Sequence, residues 1–209
     1  MAIEDAETES LLNRAEAGDG PAVERLLSLH RDRLRRMIGV RMDPRLVARI
    51  DPSDVIQEAA IEVARRLPDY LKRRDCAFYP WLRRIAWERL VWLHRQHVEA
   101  RRRSVEREMD GDVPLPDESV MQLADLLRAS QTSPSRHLVR KELRQRVRAA
   151  LAALGPPDRE ILVLRHLEQL AMKEIAEVLG VTLSAAQSRY RRALERLHER
   201  LGGQPLEEF

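Results

Sequence analysis

The sequence contains little cysteine and no long apolar run. Cys76 is the single cysteine, which excludes an intramolecular disulfide and agrees with a reducing compartment. No apolar stretch reaches the ~18 residues that a membrane-spanning helix requires, and the N-terminus is acidic, unlike that of a signal peptide. These absences predict a cytoplasmic protein.

The residue sets that would indicate an enzyme are missing as well. The sequence has no phosphate-binding glycine loop, no Ser–His–Asp set and no paired-carboxylate signature. His94 and His97 lie three residues apart on a predicted helix, but no Cys or carboxylate completes a convincing metal site with them. We therefore expect no catalysis, no cofactor and no bound metal.

The charge is small in total but unevenly distributed. The formal net charge is +3, whereas residues 72–107 contain eleven Lys or Arg and only four Asp or Glu. Residues 108–127 contain six acids and no base. A basic block followed by an acidic block indicates a nucleic-acid-binding surface and then a segment that lies elsewhere.

Aromatic residues are scarce, yet six of the eight in the chain fall within residues 70–92, interleaved with arginines. Aromatic rings stack on unpaired bases and arginines hold phosphates, so this stretch predicts contact with single-stranded nucleic acid. Helical periodicity makes its helix apolar almost all round, which favours burial. We expect Trp81 to be a core residue, while core packing and base contact both remain open for Trp87 and Trp92.

Abundant Leu, Ala, Arg and Glu favour helices, and no segment is typical of a strand. Asp51 and Pro52 can begin a helix that Pro68 should end, followed by a basic loop and a long helix from about Phe78. Glycines and prolines then indicate a linker. We predict an all-α protein with two small helical domains joined by a flexible acidic linker. The predicted boundaries are 8–106, 107–134 (linker), 135–201 and 202–209 (a loose tail).

The second predicted domain contains the spacing of a helix-turn-helix. Ala176 allows close helix approach, Gly180 suits a left-handed turn, and Thr182 can cap the second helix. Ala171, in contrast, cannot complete a capping box with Glu174. The second helix has one apolar face and one polar face flanked by Arg189, Arg192 and Arg196. This is the layout of a DNA recognition helix, although an ordinary amphipathic helix of a bundle is the alternative.

Four segments together resemble the sigma factors of bacterial RNA polymerase. Residues 154–160 (LGPPDRE) and 174–180 (EIAEVLG) are similar to their promoter-binding C-terminal domain. Residues 51–59 (DPSDVIQEA) resemble the helix that binds core polymerase, and residues 81–86 (WLRRIA) resemble the start of the helix that meets the −10 element. The length is similar to that of the compact extracytoplasmic-function (ECF) group.

The resemblance implies that the first domain binds the clamp helices of the largest polymerase subunit and melts the −10 element. It implies that the second domain lies at the flap of the second-largest subunit and binds the −35 duplex, with an anti-sigma factor as a further partner. Core-polymerase contacts are expected at Asp54, Gln57, Glu58 and Ile61. Contacts with −10 DNA are expected at Tyr70, Lys72, Arg73, Arg74, Phe78, Arg84, Trp87 and Arg95. Contacts with −35 DNA are expected at Thr182, Ser184, Ala185, Gln187, Ser188, Arg191 and Arg192.

Two other classes of protein remain as alternatives. The first is a helix-turn-helix regulator that binds operator DNA alone and uses the N-terminal half for dimerisation or effector binding. The second is an adaptor that binds a protein partner through the acidic face of the helix after Asp51. Promoter-specific transcription with core polymerase distinguishes the sigma-factor hypothesis from both.

Overall fold

The computed structural model describes residues 2–97, 115–129 and 146–201. Every regular element in these ranges is a helix, and no strand occurs within them, which confirms the all-α prediction. The described residues divide into two compact units, one before residue 98 and one from Leu115 onward. The predicted tail and both ends of the predicted linker lie outside the described residues, so the domain boundaries stay a prediction.

The first unit contains five helices. They are α1 (Ala2–Glu16), α2 (Gly20–Arg41), α3 (Pro44–Val47), α4 (Pro52–Arg73) and α5 (Phe78–His97). Three of them begin in the same way, because Asp19, Asp43 and Asp51 each accept a hydrogen bond from a backbone N–H of the first turn and a proline follows. Helices α2, α4 and α5 pack against one another, and α1 lies against α2. Their shared core includes Leu12, Leu26, Leu34, Met37, Ile38, Leu46, Leu82, Ile85 and Leu90.

Helix α4 continues through Pro68 to Arg73, so the prediction that it ends at Pro68 was wrong. A proline inside a helix removes one backbone hydrogen bond and crowds the carbonyl group four residues earlier. Pro68 lies on the exposed side of α4, whereas Leu67 and Tyr70 are buried. Burial of these two side chains offsets the cost and holds the last turn. The predicted basic loop is thereby reduced to residues 74–77.

An aromatic cluster joins the end of α4 to the start of α5. The ring of Tyr70 stacks on Trp81 with 4.4 Å between centroids, and Phe78 lies 5.6 Å from Trp81. His30 extends the cluster from α2, with its ring 5.4 Å from Phe78 and 5.7 Å from Tyr79. Trp81 is only 6% exposed, which confirms its predicted place in the core.

His30 makes the stability of the first unit depend on pH. Burial, together with the nearby Arg33 charge, lowers the pKa of His30 to about 4 from its usual 6.5. As the pH falls, the imidazole of His30 is therefore protonated near pH 6.5 in the unfolded chain but only near pH 4 in the folded chain. The contribution of His30 to the free energy of unfolding is constant above pH 7. Stability falls as the pH drops through this window, by about 2 kcal/mol at pH 5.

We expect His30→Gln to make the free energy of unfolding less dependent on pH between pH 7 and pH 4.5. Urea unfolding at a series of pH values measures this dependence. A dependence as steep as that of wild type would contradict the assignment.

The second unit contains the remaining helices. They are α6 (Asp117–Ala129), α7 (146–152), α8 (Pro156–Leu162), α9 (Met172–Leu179) and α10 (Leu183–Arg200). Helix α8 continues directly into a π-helical turn, Val163–Leu167, where the Glu168 N–H donates to the Val163 carbonyl five residues earlier at 3.0 Å. Helices α8 and α9 pack on α10, while α6, which falls inside the predicted linker, packs on the π turn. Val120, Leu123, Leu151, Ile161, Leu164, Ile175 and Leu197 build this core.

Candidate nucleic-acid and partner interfaces

The predicted docking residues share one exposed face of α4. The apolar stripe Val55, Ile56, Ala59, Val63 and Leu67 faces the core. Asp54, Gln57, Glu58 and Ile61 fall on the opposite side at helical spacing, and the structure brings them together there. Ile61 is 73% exposed. A single exposed aliphatic side chain is common on protein surfaces, so Ile61 indicates a contact surface only together with other exposed apolar groups nearby.

Glu58 has an additional partner inside the unit. Its carboxylate accepts a hydrogen bond from the Arg89 guanidinium of α5, which also lies 3.8 Å over the ring of Trp92. One turn along, Arg66 pairs with Glu62 on its own helix and with Glu88 of α5 at 2.8 Å. These ion pairs line a groove between α4 and α5 in which Ile61 and the 43% exposed Trp92 are open to solvent. The Glu62–Arg66 pair lies within one turn of α4, whereas Glu88 and Arg89 of α5 lie 22 and 31 residues from their partners in the sequence.

Two residues predicted to stack on unpaired bases are instead core residues. Tyr70 is 7% exposed and Phe78 is 3% exposed, and both lie in the aromatic cluster. The Tyr70 hydroxyl donates to the Cys76 carbonyl at 3.0 Å, which fixes the loop between α4 and α5. Neither ring can stack on a base without opening this cluster, so their predicted role is corrected to packing.

Other predicted −10 residues remain at the surface. Lys72 and Arg73 end α4, and Arg84 and Arg95 lie on the solvent side of α5; all four are exposed. Trp87 is half-buried, with the Arg41 guanidinium 5.5 Å from the centre of its ring. The structure thus keeps the cationic side chains of this prediction accessible while it buries the rings around them. Residues 101–103 are three further arginines, which the sequence predicts to hold duplex phosphates; they lie outside the described residues.

Arg74 is a predicted −10 cation whose side chain bonds to helix α1. Its guanidinium donates to Glu9 at 3.2 Å, Asn13 at 3.0 Å and Glu16 at 2.9 Å, all on α1. Its backbone adopts the left-handed conformation, with φ 44°, and its N–H caps α4 by donating to the Tyr70 carbonyl. The sequence offered no signal for this contact.

The helix-turn-helix forms as the sequence predicted. Gly180 adopts φ 63°, the left-handed conformation that the tight turn between α9 and α10 requires. Thr182 caps α10 by accepting from the Ala185 N–H at 3.2 Å. Ala171 has no side-chain oxygen, so only half of a capping box forms, in which Glu174 accepts from the Ala171 N–H at 2.9 Å.

Helix α10 presents a polar face to solvent. Ala186, Ala193 and Leu197 are buried against α8 and α9. Thr182, Ser184, Ala185, Gln187, Arg191 and Arg192 are exposed, and Ser188 is half-buried. The structure therefore brings all the predicted −35 residues onto one end and one face of a single helix. Arg196, which we expected to flank this face at phosphates, is exposed and also pairs with the buried carboxylate of Asp158 on α8.

A contact from the π turn orients the polar face of α10. The Tyr190 hydroxyl lies 3.1 Å from Nε2 of His166, and burial with the Arg165 charge lowers the pKa of His166 to about 4. The imidazole is therefore neutral at pH 7. Tyr190 is one turn from Gln187, and both side chains line the cleft beside this contact. Sequence periodicity placed Tyr190 on the apolar face of α10 but contained no signal for its partner on the π turn.

Known proteins resemble this chain over nearly its whole length. The RNA polymerase sigma-H factor of Pseudomonas aeruginosa is 31% identical over 198 residues, which are 95% of this chain and 94% of that protein. ECF RNA polymerase sigma-E factors of Haemophilus influenzae and Escherichia coli K12 are 28% and 29% identical, each over at least 94% of both chains. The family described as Sigma-70, region 4 matches residues 144–197. A solved structure, CnrH in complex with the cytosolic domain of CnrY, has a TM-score of 0.54 and 23% identity, covering 95% of this chain and 99% of that one.

Two helical units, the second with a helix-turn-helix, define a DNA-binding transcription protein. The chain belongs to the sigma factors of bacterial RNA polymerase, in the extracytoplasmic-function group. It is an alternative sigma factor that directs promoter-specific transcription initiation with RNA polymerase. A regulator that binds operator DNA alone is not favoured by these relatives.

Among the helices of residues 2–97, 115–129 and 146–201, none is both long and apolar enough to cross a membrane. Within the same ranges, no three His, Cys, Asp or Glu side chains come together in a way that could hold a metal ion.

Proposed function

We propose that the two units bind different parts of the polymerase and of the promoter. The exposed α4 face of Asp54, Gln57, Glu58 and Ile61 binds the clamp helices of the largest polymerase subunit. Lys72, Arg73, Arg84, Arg95 and the half-buried Trp87 face the −10 element, and the polar face of α10 binds the −35 duplex. The second unit lies at the flap of the second-largest subunit. The protein acts in the cytoplasm and has no catalysis of its own.

The observation that supports this proposal is that three types of surface occur on separate helices of the two units. An exposed aliphatic side chain on α4 suits a protein partner, whereas exposed cations at the α4–α5 junction suit phosphates. On α10, Gln187 and Ser184 offer hydrogen-bonding groups to base edges, with Arg191 and Arg192 beside them for the backbone. Each surface therefore has the chemistry that its assigned partner requires.

An anti-sigma factor is the partner we propose for regulation. The related CnrH was solved together with the cytosolic domain of CnrY, a second protein. On this chain, the groove with Ile61 and Trp92 is the apolar surface that such an inhibitor would cover in competition with core polymerase. Competition is testable by adding a candidate inhibitor to the chain with and without core enzyme.

The test of the proposed function is transcription with purified core polymerase, with and without this protein, on a genomic promoter set. We expect initiation at a specific subset of promoters only when the protein is present. Absence of promoter-specific initiation, together with failure to bind core enzyme, would contradict the proposal. Operator binding by the protein alone, without either of these activities, would favour the stand-alone regulator.

Gln187→Ala should change −35 preference. A glutamine amide that contacts an adenine edge contributes about 1–3 kcal/mol of discrimination, so we expect a loss of roughly tenfold at one base position. The measurement is competition of −35 duplexes for the holoenzyme. Glu199→Ala is the control, because Glu199 is exposed near the far end of the same helix. Unchanged base preference in Gln187→Ala would remove this residue from the contact.

A further inference from the structure

Arg74 links the end of α4 to helix α1. Its guanidinium donates to Glu9, Asn13 and Glu16 at 2.9–3.2 Å, and its side chain is only 29% exposed. The three acceptors are spaced four and three residues apart, so they lie on one face of α1. A planar guanidinium with several fixed donors suits such a set, which a lysine ammonium cannot match.

The α1 face is itself anchored in the first unit. Leu11 and Leu12, its neighbours in sequence, are 4% and 1% exposed, so α1 cannot move away from the core freely. Arg74 also adopts φ 44°, a left-handed conformation that costs a non-glycine residue roughly 1–2 kcal/mol. The bonds to α1 offset this cost. The bonds between Arg74 and α1, a helix far away in the sequence, therefore fix the direction of the chain after α4.

A second anchor follows two residues later. The Tyr70 hydroxyl donates to the Cys76 carbonyl at 3.0 Å, and Phe78 then enters the core. Residues 74–77 are therefore held at both ends. The exposed cations Lys72 and Arg73 belong to the last turn of α4 and immediately precede the first anchor, so the Arg74 contact helps to hold that turn against α1.

We infer that Arg74 is a positioning residue that holds the −10-facing turn against α1 and does not itself contact DNA. Glu9, Asn13 and Glu16 thereby contribute to −10 binding indirectly, because they hold Arg74 in place. The inference rests on the proposed function, in which Lys72 and Arg73 face promoter DNA. It replaces the sequence-based assignment of Arg74 as a DNA contact.

The charge-preserving double variant Glu9→Asp/Glu16→Asp tests the inference. It shortens both acceptors by one methylene and leaves the net charge of α1 unchanged. We expect the full chain with core polymerase to bind fork-junction DNA carrying a single-stranded −10 element about tenfold more weakly than wild type. If Arg74 were a DNA contact, releasing it from α1 would leave binding unchanged or tighter, and that result would overturn the inference.

Salt dependence separates positioning from direct contact. Loss of one phosphate contact on a single strand lowers the slope of log K against log salt by about 0.7. We expect Arg74→Ala to weaken binding with an unchanged slope, while Arg73→Ala, the matched control, reduces the slope. A reduced slope in Arg74→Ala would overturn the inference and leave the proposed function intact. Wild-type binding by Lys72→Ala and Arg73→Ala would instead contradict the proposed −10 face, and the inference with it.

Conservative replacement gives a further readout and guards against misfolding. Arg74→Lys keeps the charge but cannot donate to three acceptors in a fork, so we expect weaker −10 binding than in wild type. A phosphate contact would tolerate lysine, and full activity in Arg74→Lys would therefore overturn the inference. Thermal unfolding of each variant verifies that the first unit remains folded, and the −35 duplex serves as an internal control.

Discussion

Trp81→Ala should lower the free energy of unfolding of the first unit by about 3–5 kcal/mol, the range for removal of a large buried aromatic side chain. Trp81 is 6% exposed and stacks on Tyr70, so alanine would leave a cavity between α4 and α5. Urea unfolding, with hydrogen exchange of the α4 and α5 amides to report on this unit alone, measures the effect. Trp81→Phe, which refills part of the space, should cost clearly less.

Trp92→Ala is the matched control, because Trp92 lies on the same helix but is 43% exposed. Its ring contacts mainly the Arg89 guanidinium, an interaction worth about 0.5–1 kcal/mol at an exposed site. We therefore expect a loss below about 1 kcal/mol. If Trp81→Ala instead kept wild-type stability and lost only −10 binding, Trp81 would be a base contact and its assignment to the core would fail.

Ile61→Glu should weaken binding to core polymerase about thirtyfold without unfolding the protein. Complete burial of an aliphatic side chain contributes about 1.5–3 kcal/mol, and the introduced carboxylate would add a desolvation cost at the interface. Because Ile61 is 73% exposed in the free protein, the free energy of unfolding should change by less than about 0.5 kcal/mol. Equilibrium titration of labelled core enzyme measures the affinity.

The control for Ile61→Glu is Val47→Glu, which places the same charge on an aliphatic residue of α3 that is 51% exposed. We expect it to bind core polymerase as wild type does. Wild-type affinity in Ile61→Glu would exclude this face of α4 from the interface. Charge reversal at Glu58 is a weaker test, because Glu58 pairs with Arg89 and its replacement would also disturb the α4–α5 packing.

Local sequence signals predicted the helices well where caps and periodicity agreed. Asp51 with Pro52, and Thr182 after Gly180, begin helices at the expected residues because capping involves groups within one turn. The same locality explains the error at Pro68. A proline signals a helix end, but burial of Leu67 and Tyr70 against distant residues decided that α4 continues.

The candidate site was predicted unevenly for a related reason. Residues on the polar face of α10 were predicted together, because one helix positions them all and its period is known. At the α4–α5 junction the composition indicated stacking rings among arginines, yet Tyr70 and Phe78 are buried whereas Lys72 and Arg73 are exposed. Accessibility depends on which helices pack over a residue, and no local pattern contains that information.

The sequence by itself determined the helical class and the helix-turn-helix, because helix formation and capping depend on residues within a few positions of one another. It also indicated the family, through four short segments that resemble sigma factors. The tertiary structure decided which cations pair with acidic or polar groups of distant helices. Arg196 pairs with Asp158, 38 residues away, and Arg74 pairs with groups 58–65 residues away on α1. Arg73, next to Arg74 in the chain, stays exposed. Such pairings form only when packing brings distant helices together, so adjacent residues of similar chemistry acquire different roles.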